Sequence, residues 1–388
     1  MALMALVLAQ SATAGIVFTP HLSEYGLLPR GAYADHTLIY TSIDKIYDAQ
    51  GKKVPLANGN IPPGETTDIA LALFRYLWVG NVFENTNIPV LKDHNQIFRI
   101  IANAGWQQAS GNITSLSRMF GQKSSNSGIG DVFILGGIYS QEHRIGPFQY
   151  NGLLATTVKL PIGDYDQNSL LNNGTHYSTV IPQVAFHVEG WGRLYVDGTL
   201  ARQFNGNNDS PSYGGLTPTE PADVVNAEIN MAYKFNERWF VDVGIGRRKT
   251  VGSNKFGKVT LNFKQPVPPS AACRNLNIPT AQCNLATNFR LVPVPGIRED
   301  SGAEGTLMTA GFYYVYRSST VFGMRVAQPI RGKGSQFPME YDVVTDPGGV
   351  PLGAGARQRT LLTGVQEAAS IPASPYYELR MVYLFWAP

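Results

Sequence analysis

The feature that most constrains this chain is a two-residue rhythm that recurs along most of its length. About twelve segments alternate apolar and polar residues, as side chains do when they leave a strand on opposite faces. They cover about 33–47, 68–79, 95–108, 128–141, 147–160, 177–188, 192–204, 223–235, 238–249, 305–316, 320–330 and the C-terminal residues from 376. In the eighth, Val225, Ala227, Ile229, Met231, Tyr233 and Phe235 share one face, and Asn226, Glu228, Asn230 and Lys234 the other. A soluble sandwich alternates too, so alternation alone leaves two fold classes open. The connections separate them. Tight turns at 143–146, 189–191, 236–237 and 317–319 alternate with long polar connections at 51–66, 111–127, 161–176, 205–221, 250–304 and 331–374. One further turn, 81–92, is longer than the others on its side. Short turns at one end and long loops at the other are how outer-membrane barrels are built. Closure leaves no sheet edge unsatisfied in lipid. The expected fold is all-β, a transmembrane antiparallel up-and-down β-barrel of about 12 strands with both termini on the tight-turn side.

Composition agrees with that expectation. Charged residues are 15% of the 388, against about 25% in soluble domains. No stretch after the N-terminus approaches the roughly 18 apolar residues of a spanning helix. Gly 40 and Pro 25 argue against a helical bundle. With 31 Lys and Arg against 28 Asp and Glu, there is no basic footprint for nucleic acid.

Residues 1–14 carry an apolar run and an Ala12-x-Ala14 pattern without a basic lead-in, and read as the remnant of a secretory signal peptide. Residues 15–32 read as an N-terminal periplasmic or lumenal segment, long enough to reach into a lumen as a plug. Residues 33–388 read as the barrel. At the C-terminus Tyr377, Leu379, Met381, Tyr383 and Phe385 share one face and Glu378 and Arg380 the other, as in the closing strand of such a barrel.

Few residues suggest chemistry. Cys273 and Cys283 share one Pro-rich loop and are expected to form a disulfide in an oxidising compartment. Gly128-Ile-Gly130 and Gly244-Ile-Gly246 open no helix and read as strand glycines. Asp164, Asp166 and Asn168 lack the EF-hand spacing and read as a turn held by Asx side chains. His187 reads as a lumen residue, and no metal or cofactor is expected. The run Arg247-Arg248-Lys249 should leave the membrane on the outer side, facing lipopolysaccharide phosphates or forming a solvated rim. Pro161 and Pro182 would weaken pairing of the fifth and sixth strands. The inward residues expected to meet a permeant include Arg99, Asp131, Lys159, Arg193, Tyr195, Asp197, Glu228, Asp242, Arg325 and Arg380.

One stretch carries a resemblance. Gly128-Ile-Gly-Asp131 is followed by Lys159-Leu-Pro161-Ile-Gly163-Asp164-Tyr165-Asp166, then Asn173-Gly174-Thr-His176-Tyr177 and Pro182-Gln-Val-Ala-Phe186. Across residues 127–209 the chain resembles the SphA-like outer-membrane transporters of the phenol meta-pathway type, and Asp48-Ala-Gln-Gly51 fits as well. Residues 205–213 are a degenerate form of the family's next motif, and the 250–304 loop is longer than usual. The resemblance implies a Gram-negative outer-membrane barrel that passively admits small hydrophobic or aromatic compounds, phenol-type catabolic substrates or their esters. The reading adopted is a single monomeric barrel, not an enzyme, in contact with outer-membrane lipid and lipopolysaccharide. The competing readings are a barrel enzyme acting on lipids (lipase or acyltransferase), which needs a serine beside a histidine, and a soluble exported β-protein.

Overall fold

The computed structural model describes residues 30–56, 66–86, 88–110, 123–167, 169, 171–210, 218–256, 261–262, 288–293, 298–299, 302–317, 319–346, 358–369 and 371–387. Twelve strands cross the molecule: β1 (Gly31–Ile43), β2 (Thr67–Gly80), β3 (Gln96–Ala109), β4 in two pieces (Ser125–Ile129 and Val132–Tyr139), β5 (Phe148–Leu160), β6 (Thr179–Gly190), β7 (Leu194–Asn205), β8 (Asp223–Lys234), β9 (Trp239–Val251), β10 (Glu304–Tyr316), β11 (Thr320–Lys333) and β12 (Tyr376–Trp386). Every strand pairs antiparallel with its neighbours in sequence, and β12 returns to β1 with Arg380 opposite Thr37, closing the cylinder. The expected barrel is therefore the fold.

Side-chain polarity is inverted relative to a soluble domain, and this decides what the alternation left open. Outward positions are large and apolar: Leu154 is 65% exposed, Met324 63% and Leu38 58%. Inward positions are charged and hidden: Asp197 is 0% exposed, Asp35 and Asp242 1%, Arg325 4%. A soluble monomer does not cover itself with a continuous apolar belt; hydrocarbon is the solvent that suits it. Aromatic residues collect where the strands meet the tight turns. Trp239 packs on Tyr314 at 4.4 Å and on Phe312 at 4.9 Å, and Phe148 on Trp191 at 4.8 Å, forming an interfacial girdle. The lumen is not wholly polar. Tyr33, Leu77, Ile97, Leu135, Tyr139 and Leu153 form an apolar cluster on the inner wall of β1–β5.

Local chemistry explains the turns. Trp191 (φ 53°) and Gly192 (φ 65°) both adopt left-handed conformations between β6 and β7, and Arg193 N–H donates to Gly190 O at 3.1 Å. This is the mirror-image turn whose twist matches a hairpin. At the longer tight-side turn, Pro89–Lys92 forms a short helical turn. Pro182 does not interrupt the β5–β6 ladder, which is continuous across it; the skipped pairs, at Ile181 and Pro182, lie on the β7 side. The expected weakness is thus displaced by one strand.

The connections at 250–304 and 331–374 are not simple loops. Leu261–Asn262, Asn288–Pro293, Ser335–Asp346 and Gln358–Ala369 form a second, four-stranded sheet. Pro338 in the third of these argues against a strand on sequence grounds and hid it. Residues 1–29, Cys273, Cys283 and Asn168 lie outside the described residues.

Candidate lumen site

Strand β4 breaks at Gly130-Asp131, and the site is built around that break. Gly130 N–H donates to Asn103 O at 2.8 Å, and Asn103 Nδ2 donates to Asp131 O at 2.8 Å. Asn103 thus splints the gap, and the Asp131 side chain turns inward, 3% exposed. The upper piece, Ser125–Ile129, pairs with β3 on one side only. On its other side the wall is completed by a strap, residues 161–167, 169 and 171–177. Asp164 N–H donates to Ile129 O at 2.7 Å, and Ile129 N–H donates to Asp164 Oδ2 at 2.7 Å. The Asp164 carboxylate therefore stands in for a ladder carbonyl. Gly163 is required here by close approach, since a Cβ on it would lie 2.5 Å from the backbone carbon of Gly130.

The strap then folds inward onto Asp131. That carboxylate accepts from Thr175 Oγ1 at 2.6 Å, Thr175 N–H at 2.9 Å and Gly163 N–H at 3.2 Å. Lys159 lies 3.8 Å from the same carboxylate and donates to Thr175 Oγ1. The Lys159 ammonium also sits 3.7 Å from the centroid of the Tyr177 ring, a cation–π geometry. Burial pushes the Tyr177 phenol up from its ordinary value, with the Arg248 charge pulling against that shift. Asn173 anchors the strap to β3: Gln107 Nε2 donates to Asn173 Oδ1 at 2.9 Å, and Asn173 Nδ2 donates to Gly105 O at 3.2 Å.

The strap and the inner wall enclose a cavity of about 290 Å³ toward the long-loop end of the lumen. Leu71, Ile101, Phe133 and Ile181 supply apolar surface, and Arg99, Lys159, Arg248 and Glu228 supply charge. Below it two ion networks tie strands together across the interior. Asp35 receives Arg75 at 3.0 Å and Arg380 Nε at 3.0 Å, joining β1, β2 and β12. Arg325 donates to Thr309 at 2.7 Å and Asn230 at 3.1 Å and lies 3.9 Å from Asp242, which accepts from Tyr313 at 3.1 Å. Near the tight turns His187 Nδ1 and Asp197 Oδ1 are 2.7 Å apart, with the Tyr195 ring 6.1 Å from His187.

The residues expected to face the lumen divide into three groups. Arg99, Asp131, Lys159 and Glu228 line the cavity. Asp242, Arg325 and Arg380 lie in the ion networks, and Asp197 is held by His187 with Tyr195 half-buried beside it. Arg193 is corrected: it is exposed, because the tight turn runs through it and the strand begins only at Leu194. The cationic run is corrected as well. Arg247 and Lys249 are exposed, but Arg248 points into the cavity, since successive side chains on a strand must part. Thr175, Tyr177 and Arg248 are site residues that sequence reasoning missed; the parity of β9 was the available signal for Arg248.

No curated protein matches the chain in sequence. Among solved structures the chain is similar to the COG4313 outer membrane channel from Pseudomonas putida F1, with 15% identity, 93% of this chain and 98% of that chain covered, and a TM-score of 0.58. It also aligns with the Pseudomonas putida toluene transporter TodX, at 9% identity over 98% of this chain and 93% of that one, with a TM-score of 0.34. The first likeness supports the barrel fold independently of its composition. Residues 43–267, more than half the chain and including β4, the strap and the Asp131 cluster, match the family described as "Putative MetA-pathway of phenol degradation", and the chain belongs to that family.

Proposed function

We propose that this protein is an outer-membrane channel for passive uptake of small hydrophobic or aromatic compounds, phenol-type catabolic substrates or their esters. One observation carries the reading: a closed barrel with an apolar exterior encloses a cavity of about 290 Å³ with mixed lining. An apolar cavity of about 150 Å³ is enough for benzene, so single-ring compounds fit with room for a substituent. Family membership and the fold of a solved outer-membrane channel support the same reading.

The protein acts on this reading without chemistry, as a monomer. A lipid-acting enzyme needs a serine nucleophile beside its histidine at the lipid face; His187 is buried in the lumen and held by Asp197. Residues 1–14 are removed on export, residues 15–30 enter the lumen as a plug, and Cys273 pairs with Cys283. Arg247 and Lys249, exposed at the long-loop rim, suit contact with lipopolysaccharide phosphates. Liposomes holding the purified barrel should take up phenol, toluene and benzyl esters faster than protein-free liposomes. Equal rates would reject the channel. Deleting residues 15–29 should raise single-channel conductance, and unchanged conductance would reject the plug.

A further inference from the structure

The long-loop half of the cavity holds a charge arrangement that a neutral hydrocarbon does not call for. Lys159 is the penultimate residue of β5 and Arg248 lies near the end of β9, and both line the cavity with Tyr177. Lys159 lies over the Tyr177 ring, and Arg248 lines the same cavity. They differ in what satisfies them. Lys159 has Asp131 and Thr175. Arg248 makes no ion pair and no hydrogen bond among the described residues, although it is half-buried.

The carboxylates that face this cavity do not fill the gap. Asp131 already accepts from Thr175 and Gly163 and is ion-paired with Lys159 at 3.8 Å. Glu228 sits on β8, where the residue opposite Arg248 is Asn226, and it forms no ion pair with Arg248. A guanidinium partly stripped of water and left without a counter-ion is costly. Its planar fork matches a carboxylate bidentately. Beside it the Tyr177 ring, Phe133 opposite Lys159 on the paired strand, and Ile181 offer a surface for a flat apolar body.

We infer that Arg248, with Lys159 and Tyr177, forms a seat for an aromatic carboxylate: the guanidinium takes the carboxylate, the ammonium adds a second positive charge, and the ring packs on Tyr177 and Ile181. This names a substrate class and rests on the channel reading, since the seat lies in the proposed path. Neutral phenols would occupy the same surface without the ionic contact.

The test uses the purified full chain and two probes of one shape, benzoate and its uncharged analogue benzamide, titrated calorimetrically at neutral pH. Benzoate should bind the wild type at least about tenfold more tightly than benzamide. Arg248→Gln should erase that preference while leaving benzamide binding within about twofold, and Arg248→Lys should retain part of it. Raising salt should weaken benzoate alone. Each variant is checked for the wild-type heat-modifiable mobility of a folded barrel. Equal binding of the two probes, or benzoate binding untouched in Arg248→Gln, overturns the seat. Planar-bilayer conductance of the same preparations separates the two levels: an open pore without benzoate preference removes only the seat, whereas no conductance and no uptake remove the channel reading as well.

Discussion

Arg247 and Arg248 are neighbours in the chain and live in different surroundings. Arg247 points outward and pairs with Glu304 at 3.0 Å, while Arg248 lines the cavity. The same division gives Asp131 its weight, because one carboxylate receives two backbone amides and a hydroxyl and faces an ammonium at 3.8 Å. Asp131→Ala would leave these donors and the Lys159 charge without an acceptor, at a cost of about 3 kcal/mol. Asp131→Asn keeps an acceptor and should cost less. Urea unfolding in lipid vesicles would show that order, and equal losses would contradict it. At the long-loop end of β1 the Ser374 hydroxyl donates to Asp44 Oδ1 at 2.6 Å and holds that carboxyl below the usual carboxylate range. A lowered folded value means that the contact stabilises above the unfolded range and is lost as pH falls through the lowered value. In Ser374→Ala the Asp44 titration, followed by carboxyl NMR, should move back up toward its ordinary position.

At the scale of elements, the strap is the distinctive part. It is loop by sequence, yet it completes the wall beside Ser125–Ile129 through Asp164 and roofs the cavity through Thr175 and Tyr177. Gly163→Ala would push a methyl into the Gly130 backbone, costing about 1–3 kcal/mol. It should raise the leak of small solutes through reconstituted barrels, and a tight variant would show that the strap can shift without opening the wall. The strands were legible in the sequence where one face is polar and the other apolar, as in β8. They were less so in β2, where inward Ile69, Leu73 and Leu77 and outward Phe74 and Tyr76 are all apolar and Arg75 is the charged residue that marks the lumen face. The motif residues Gly163, Asp164 and Asn173 stood out as a segment, but their role did not. Contacts such as Gly163 to Gly130 and Asn173 to Gly105 join the strap to residues that only the pairing of β3, β4 and β5 sets beside it. Arg248 was hidden differently, because three consecutive cations look like one patch until strand parity is applied to them.

For the molecule as a whole, the inverted polarity sets the energetics. Charged networks such as Asp35 with Arg75 and Arg380 join strands from opposite ends of the sequence, β1 and β2 with β12, so they form only once the barrel shuts. The outer face is where a charge does most harm. Ile229 sits midway along β8, 47% exposed, and Ile229→Arg should cost about 2–4 kcal/mol when unfolding is measured in a bilayer. A loss near zero would place that face in water and remove the membrane assignment.

The strap has one more consequence. Most strands are fastened to their neighbours by a row of amides and carbonyls that any sequence supplies, but beside Ser125–Ile129 the seam is stitched in part by particular side chains. Permeability and mechanical integrity therefore share the same few residues, and remodelling this stretch to admit bulkier cargo would loosen the cylinder at a hand-sewn hem.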